Sequence, residues 1–571
     1  QPRFPQVWVF HAWNMAYNIS VSTQTPMERW RWVSAGIHLL RDEGIPANPN
    51  DLLIHKELAW IFLHKIGGFM DDANRIYKRE LAAEWTMILG PPPKPGPGDR
   101  EFAAATARYA EWFRPVAEAP TDPRDVVAAE PSTKTLVDRL RAELGMEPGD
   151  ALVQVYAQAH AIATSPSRPM FERGMGPEEK KLLEMVTDPA LQKAWGALLP
   201  FLRKQMLIER YHMEPDRMLR YIEKFGPLDW RHCGAHALYW GQRGIENALL
   251  RVQERNKKDF DFVNSGRIVV QSLQDLWRSG DVHFDFISYI RARGDEHQKT
   301  SVYYRGAPHI HFIDSYGKHL DEYVNMAWAE WQKNEQGVAQ RTRVFTLYAA
   351  GYENFRKDAI RFLYRRGEKA RAQKMKDELQ DWRYHNRNDP DRPYLFALTL
   401  DEFVKKELED ELSRPSVATE EVVGALEGAY ITGLLAGDDV QFREQMEYAR
   451  LVHQYYFSQQ GRTNAVDVNN ARMGYMDRDF RLVAGTEFAA LIGRLALEDA
   501  EALYDRAPES LRVFGYDILA EYYRALLDQM AAERLSRPFN QVFPEPEGMA
   551  TFRAEMRQRE ERLRRPEVEQ K

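Results

Sequence analysis

Apolar residues recur at three- and four-residue intervals over most of this chain, the rhythm of helices that bury one stripe. After Gln1-Pro2-Arg3-Phe4-Pro5, a helical run covers Val7 to Ile19. Thr25-Pro26-Met27-Glu28 then has the form of a capping box with proline at the first helical position, followed by the stripe Trp30, Val33, Ile37 and Leu40. Gly44 is expected to end that helix in a left-handed conformation, with Pro46 preventing its continuation. Asn50 or Asp51 caps the next helix, which runs to Ile66 and is broken by Gly67-Gly68. Asp71 or Asp72 starts another, carrying Ala73, Ile76, Tyr77, Leu81 and Trp85. Met15-Ala16-Tyr17 and Leu58-Ala59-Trp60 hold similar places 43 residues apart. Residues 1–90 are therefore expected to form two helical hairpins.

The pattern continues with interruptions. Residues 91–176 combine a strap, Pro91-Pro92-Pro93-Lys94-Pro95-Gly96-Pro97-Gly98, with a variable helical segment that breaks again at Ser165-Pro166-Ser167-Arg168-Pro169. Helices return over 177–280. There Leu228-Asp229-Trp230 leads into a helix through Trp240, and Gly241 and Gly244 are expected to turn the chain into Ile245 to Val252. Residues 281–318 read as an irregular insertion, with Gly294, Gly306, Pro308 and Gly317 and two β-leaning pieces, 301–304 and 310–313, that suit a short hairpin. Over 319–550 the repeats are clearest. Ala359, Phe362, Leu363, Tyr364, Gly367 and Ala370 mark one hairpin, Ala425, Gly428, Ala429, Tyr430, Gly433 and Gly437 a second, and Phe514, Gly515, Ile518 and Tyr522 a third. Residues 551–571 form a charged tail. The expected fold is all-α, a solenoid of helix-turn-helix repeats of tetratricopeptide (TPR) type with one irregular insertion.

Length supports that choice. At 571 residues the chain exceeds what one compact core accommodates, whereas a solenoid grows by stacking. The aromatic share of 12% supplies large side chains for long helical interfaces. A formal net charge of −7 argues against nucleic acid as a partner. No apolar run reaches the length of a membrane span. The single cysteine, Cys233, precludes an intrachain disulfide or a multi-thiolate metal site. The chain begins at Gln1 rather than Met, which is compatible with a processed product that has lost a targeting segment or anchor.

Several segments carry a resemblance. Val9-Phe10-His11-Ala12-Trp13-Asn14-Met15-Ala16-Tyr17-Asn18, Leu39-Leu40-Arg41-Asp42-Glu43-Gly44-Ile45-Pro46, Leu58-Ala59-Trp60-Ile61-Phe62-Leu63-His64-Lys65-Ile66-Gly67 and Leu228-Asp229-Trp230-Arg231 resemble an uncharacterised family of planctomycete-type bacterial proteins with TPR-like helices. The resemblance is strongest over 1–90 and 227–250. It implies a bacterial source and a membrane-tethered ancestor. The expected compartment is thus extracytoplasmic or membrane-associated, with the cytoplasm as the alternative. It transfers no catalytic residue.

Candidate chemistry is sparse. His232 and His236 stand one helical turn apart, a spacing that can place two imidazoles on one metal, yet no glutamate adjoins the first as in HExxH. Pro308-His309-Ile310-His311-Phe312-Ile313-Asp314 would, on a strand, point His309 and His311 the same way, with Asp314 or His319 completing a site. The acidic pairs Asp71-Asp72, Asp438-Asp439 and Asp321-Glu322 are expected to cap helices. Arg361, Arg365, Arg366, Lys369, Arg371 and Lys374 are expected to form a solvated face. No phosphate loop, nucleophile elbow or kinase signature is present, and no cofactor is expected. The favoured function is a protein-binding scaffold or structural subunit of a larger assembly. The alternative is an enzyme on a helical toroid, polysaccharide-active or metal-dependent.

Overall fold

Local capping chemistry sets the first helices. In the computed structural model, Glu28 N–H donates to Thr25 Oγ1 at 3.2 Å and Thr25 N–H donates to Glu28 Oε2 at 3.1 Å, so the expected capping box opens the helix Pro26–His38. Asp51 caps Leu52–Trp60, its Oδ1 accepting from Ile54 N–H at 3.1 Å. The structure describes all residues except 1–2, 94–100, 166, 255–259, 293–294, 334–337, 385–392, 410–414, 464–475, 534–535 and 565–571. Most of the proline strap, Gly294 and the end of the charged tail lie outside the described residues.

Gly44 does not end its helix. Its φ is −65°, an ordinary helical value, and the chain continues through Leu39–Gly44 into Ile45–Ala47. Over Leu39–Gly44 the helix widens to π geometry, and Ile45 N–H reaches five residues back to Leu40 O. The same widening occurs at Asn14–Ile19, Ile61–Ile66 and Ala429–Leu435. Each extra residue in the turn re-aims the side chains that follow it.

By its contacts the chain divides into two units, 1–323 and 324–571. The described residues are helical almost throughout, so the protein is all-α apart from one two-stranded ribbon. In the first unit the helix Cys233–Glu254 packs against Leu52–Trp60, Ile61–Ile66 and Phe260–Ser279. Trp230, Trp240, Tyr211, Tyr221 and Tyr239 fill the core around it. This helix runs straight through Gly241 and Gly244, where the sequence led us to expect a turn. The glycines serve close packing instead: a Cβ on Gly244 would lie 2.7 Å from His55 Cβ, and one on Gly241 3.4 Å from Val269 Cγ2.

The insertion does contain a ribbon, with strands displaced from those expected. Asp281–Phe284 pairs antiparallel with Tyr304–Ala307, Asp281 opposite Ala307 and Phe284 opposite Tyr304. Residues 310–313 instead turn into the helix Phe312–Lys333. The partner strand precedes the β-leaning pieces, so neither piece pairs with the other.

In the second unit two expected hairpins are present. Val338–Arg365 turns at Gly367, with φ 74°, into Lys369–Gln380. Pro415–Gly428 and its continuation Ala429–Leu435 turn at Gly437, with φ 77°, into Asp439–Thr463. Gly428 and Gly433 let those two helices touch, since their Cβ atoms would fall onto Gln445 and Phe442. The third expected hairpin is one uninterrupted helix, Glu509–Ala532. Its Gly515 is a contact point, with a Cβ there 3.0 Å from Phe488, and not a turn.

Candidate functional site

The start of the helix Cys233–Glu254 gathers the titratable side chains. Asp229 Oδ1 accepts from Arg231 N–H at 2.9 Å, and its carboxylate pairs with the Arg231 guanidinium at 2.6 Å. His232 then acts as a helix cap, its Nδ1 accepting from Gly234 N–H at 3.0 Å. That bond fixes the tautomer. The neutral ring carries its proton on Nε2 and donates it to Ser279 Oγ at 3.1 Å, and Ser279 donates in turn to the Asp275 carbonyl at 2.9 Å. Cys233 Sγ lies 3.8 Å from Asp275 Oδ2. Burial pushes the thiol pKa upward, keeping it protonated, and pushes the His232 pKa downward.

Among the described residues, His232, Cys233 and Asp275 are the one trio of potential metal ligands whose donor atoms lie within 4.8 Å of one another. Asp275 was not foreseen, because it lies 42 residues away in sequence. The hydrogen bonds oppose coordination. The Nδ1 lone pair is occupied by Gly234 N–H, and Nε2 carries hydrogen. A metal would have to displace one of these and deprotonate a buried thiol.

His236 stands apart from this trio. Its Nε2 donates to the Trp230 carbonyl at 2.8 Å, and its ring lies 4.8 Å from Phe62 and 4.4 Å from Trp85. Burial lowers its pKa to about 3, so it is neutral. His236, Arg41, Glu84, Trp85 and Trp240 line a cavity of about 20 Å³, room for a single water molecule. The buried Trp240 Nε1–H has no acceptor among the described residues.

His309 and His311 lie in the turn before the helix Phe312–Lys333, not on a strand, with ring centroids 5.5 Å apart. Asp314 is exposed in the first turn of that helix. His319 Nδ1 donates to the Ser315 carbonyl at 2.9 Å, and its ring rests on Phe225. No trio gathers around any of these four among the described residues.

The acidic pairs differ in role. Asp438 caps as expected, its Oδ1 accepting from Val440 and Gln441 N–H at 3.1 Å. Asp321 and Glu322 lie inside the helix Phe312–Lys333, not at its start. Asp71 accepts from Ala73 N–H at 3.0 Å and also forms a buried cluster with Lys65 at 2.6 Å, Arg29 at 3.2 Å and Tyr77 OH at 3.0 Å. Burial alone would raise the Asp71 pKa, but the Lys65 hydrogen bond and the further donors bring it to about 2. In the basic stretch, Arg361 pairs with Asp358, Arg365 with Glu421, Arg366 and Arg371 with Glu368, and Lys374 with Glu378.

The most unusual surface lies on the first helices. Phe4, Val7, Phe10, Trp13 and Val21 are all exposed along 4–21, Phe10 to 66%. Trp13 stacks on Tyr17 at 5.2 Å, Tyr17 leans on His64 at 5.8 Å, and His64 stacks on Trp60 at 4.7 Å, 12° from parallel. Phe69 and Met70, in the loop that follows, are 85% and 83% exposed. One sequence signal points to this face. Val7-Trp8-Val9-Phe10-His11-Ala12-Trp13 is apolar on more sides than neighbouring helices can cover. Compared with protein-family models, with curated proteins and with solved structures, the chain matches none.

Proposed function

We propose that this protein is a binding scaffold, a TPR-like stack of helical hairpins that holds a partner protein on the aromatic face of residues 4–21 and 60–70. The carrying observation is the exposure of Phe10 and Trp13 on the first helix, and of Phe69 and Met70 in the loop after Ile66. Large apolar patches on folded proteins mark interaction sites, and burying them contributes about 25 cal/mol per Å². Trp, Tyr, Phe and Met are also the side chains enriched at protein interfaces. A partner presenting an amphipathic helix would complete the face by the same helix-on-helix packing that holds the hairpins together. Against a catalytic reading stands the closed hydrogen bonding of His232, His236 and their neighbours. The resemblance to bacterial proteins with a tethered ancestor makes a cell-envelope assembly the natural setting. No helix among the described residues is long and apolar enough to cross a membrane.

The test compares wild type with a Phe10→Glu, Trp13→Glu double variant and with Leu526→Glu, an exposed apolar position in the other unit. Each is used as bait in its native cells, with quantitative mass spectrometry. A stoichiometric protein retained by wild type and Leu526→Glu but lost from the double variant supports the scaffold. Retention by all three, or by none, sinks this assignment of the surface. Stacked, flat rings also suit sugar faces, so a glycan bound by wild type and lost from Trp13→Ala would favour a carbohydrate platform instead.

A further inference from the structure

Three departures from regular backbone meet at one cavity. The π-turn Leu39–Gly44 carries Arg41, the π-turn Ile61–Ile66 carries Phe62, and both side chains line the cavity beside His236. The third is His212, with φ 50°, the one non-glycine residue in the left-handed region among the described residues. It joins Tyr211, whose ring centroid lies 4.6 Å from the Arg41 guanidinium, to Met213, another wall residue. Such irregularities cost stability and are frequent at sites that hold ligands.

The walls are aromatic and carry one uncompensated negative charge. Trp30, Phe62, Trp85 and Trp240 line the cavity, the last three buried. Arg41, with 7% of its side chain exposed, is neutralised by Asp42: its Nε donates to Oδ1 at 2.5 Å and its Nη2 to Oδ2 at 3.1 Å. Burial lowers the pKa of His38 and of His236, so neither wall imidazole adds a positive charge. The remaining charge is Glu84. Its Oε1 accepts from Tyr211 OH at 2.7 Å, and no cation pairs with it among the described residues. Two more wall residues keep an acceptor. His236 gives its N–H to the Trp230 carbonyl, which leaves Nδ1 with a lone pair, and the Ser34 hydroxyl is bonded to no described residue.

We infer that this cavity binds a primary ammonium group. Its volume of about 20 Å³ admits a head the size of water. The three N–H donors of that head match in number the acceptors of Glu84, His236 and Ser34, and tryptophan faces attract cations. A hydroxyl of the same size would give the Trp240 Nε1–H the acceptor it lacks, but would leave the Glu84 charge uncompensated. The rest of an amine leaves past Trp30, Ser34 and His38, the wall residues that reach the surface on the helix Pro26–His38. Nothing in this site depends on the exposed side chains of residues 4–21.

The probe is methylammonium labelled with carbon-13, titrated with the whole chain in sodium chloride at constant ionic strength and followed by broadening of its methyl resonance. We expect saturable binding that ammonium displaces and that equal concentrations of methanol or tetramethylammonium do not. Tighter binding of ammonium than of methylammonium assigns the free ion as ligand, and the reverse order an alkylamine. Glu84→Gln keeps the acceptor for Tyr211 and removes the charge, and should weaken binding about tenfold or more. Glu80→Gln, one turn away on the helix Asn74–Leu89 and outside the walls, should leave it nearly unchanged. Should Glu84→Gln fail to fold, Ser34→Ala carries the same test, with binding weakened about threefold. Absence of saturable binding overturns the site, as does displacement by methanol or tetramethylammonium as effective as that by ammonium. Equal weakening by Glu80→Gln and Glu84→Gln also overturns it, since that is the response of a diffuse acidic surface.

Discussion

Asp71 illustrates how a residue with an ordinary local role can hold a larger one. As a cap it would be replaceable by asparagine, which accepts the same N–H. Here it is also the counter-charge of Lys65, and the two side chains are only 9% and 4% exposed. Asp71→Asn therefore leaves a buried ammonium without its partner, and we expect a loss of about 3–5 kcal/mol by urea unfolding at neutral pH. The pH dependence has a definite sign. The folded pKa of about 2 lies below the unfolded value of about 3.9, so the contribution is complete above about pH 4 and lost as pH falls through about 2. The difference between wild type and variant should shrink over that window. A difference that stays constant from neutral pH to about pH 3 would show that Asp71 acts as a cap alone.

Elements were legible in the sequence where their determinants are local. The Thr25 capping box, the Asp51 cap and the turns at Gly367 and Gly437 follow from residues adjacent in the chain. Glycines within helices were misread because a glycine that turns the chain and one that lets two helices touch look the same in one sequence. Gly44, Gly241, Gly244 and Gly515 all belong to continuous helices. Helical glycines respond to alanine according to what lies beside them. At Gly244 the new Cβ would meet His55 Cβ at 2.7 Å, which outweighs the gain of about 1 kcal/mol in helix propensity and leaves a net loss of about 1–3 kcal/mol. At Gly196, in the helix Gln192–Glu209, nothing lies within 4 Å, so alanine should stabilise by about 0.5–1 kcal/mol. Thermal unfolding of the two variants checks the pair, and a stabilised Gly244→Ala would mean that the helices can part at no cost. Distance in sequence hid the rest. Asp275 meets Cys233 from another helix, a juxtaposition that no local sequence pattern displays.

At the scale of the whole molecule, the exposed apolar side chains of residues 4–21 bear on self-association. Soluble proteins seldom leave several large apolar side chains close together in solvent, yet residues 4–21 expose Phe4, Val7, Phe10, Trp13 and Val21. The free protein should therefore self-associate through that face as its concentration rises, the more so because a net charge of −7 over 571 residues provides weak repulsion. Phe10→Glu with Trp13→Glu should move the onset of association, followed by sedimentation velocity, to higher concentration. It should leave the unfolding temperature nearly unchanged, because neither side chain belongs to the core. A large fall in unfolding temperature would instead place these rings among the packing contacts of the hairpins. Unchanged association would locate the sticky surface elsewhere, with the exposed Leu347 and Tyr522 the next side chains to replace.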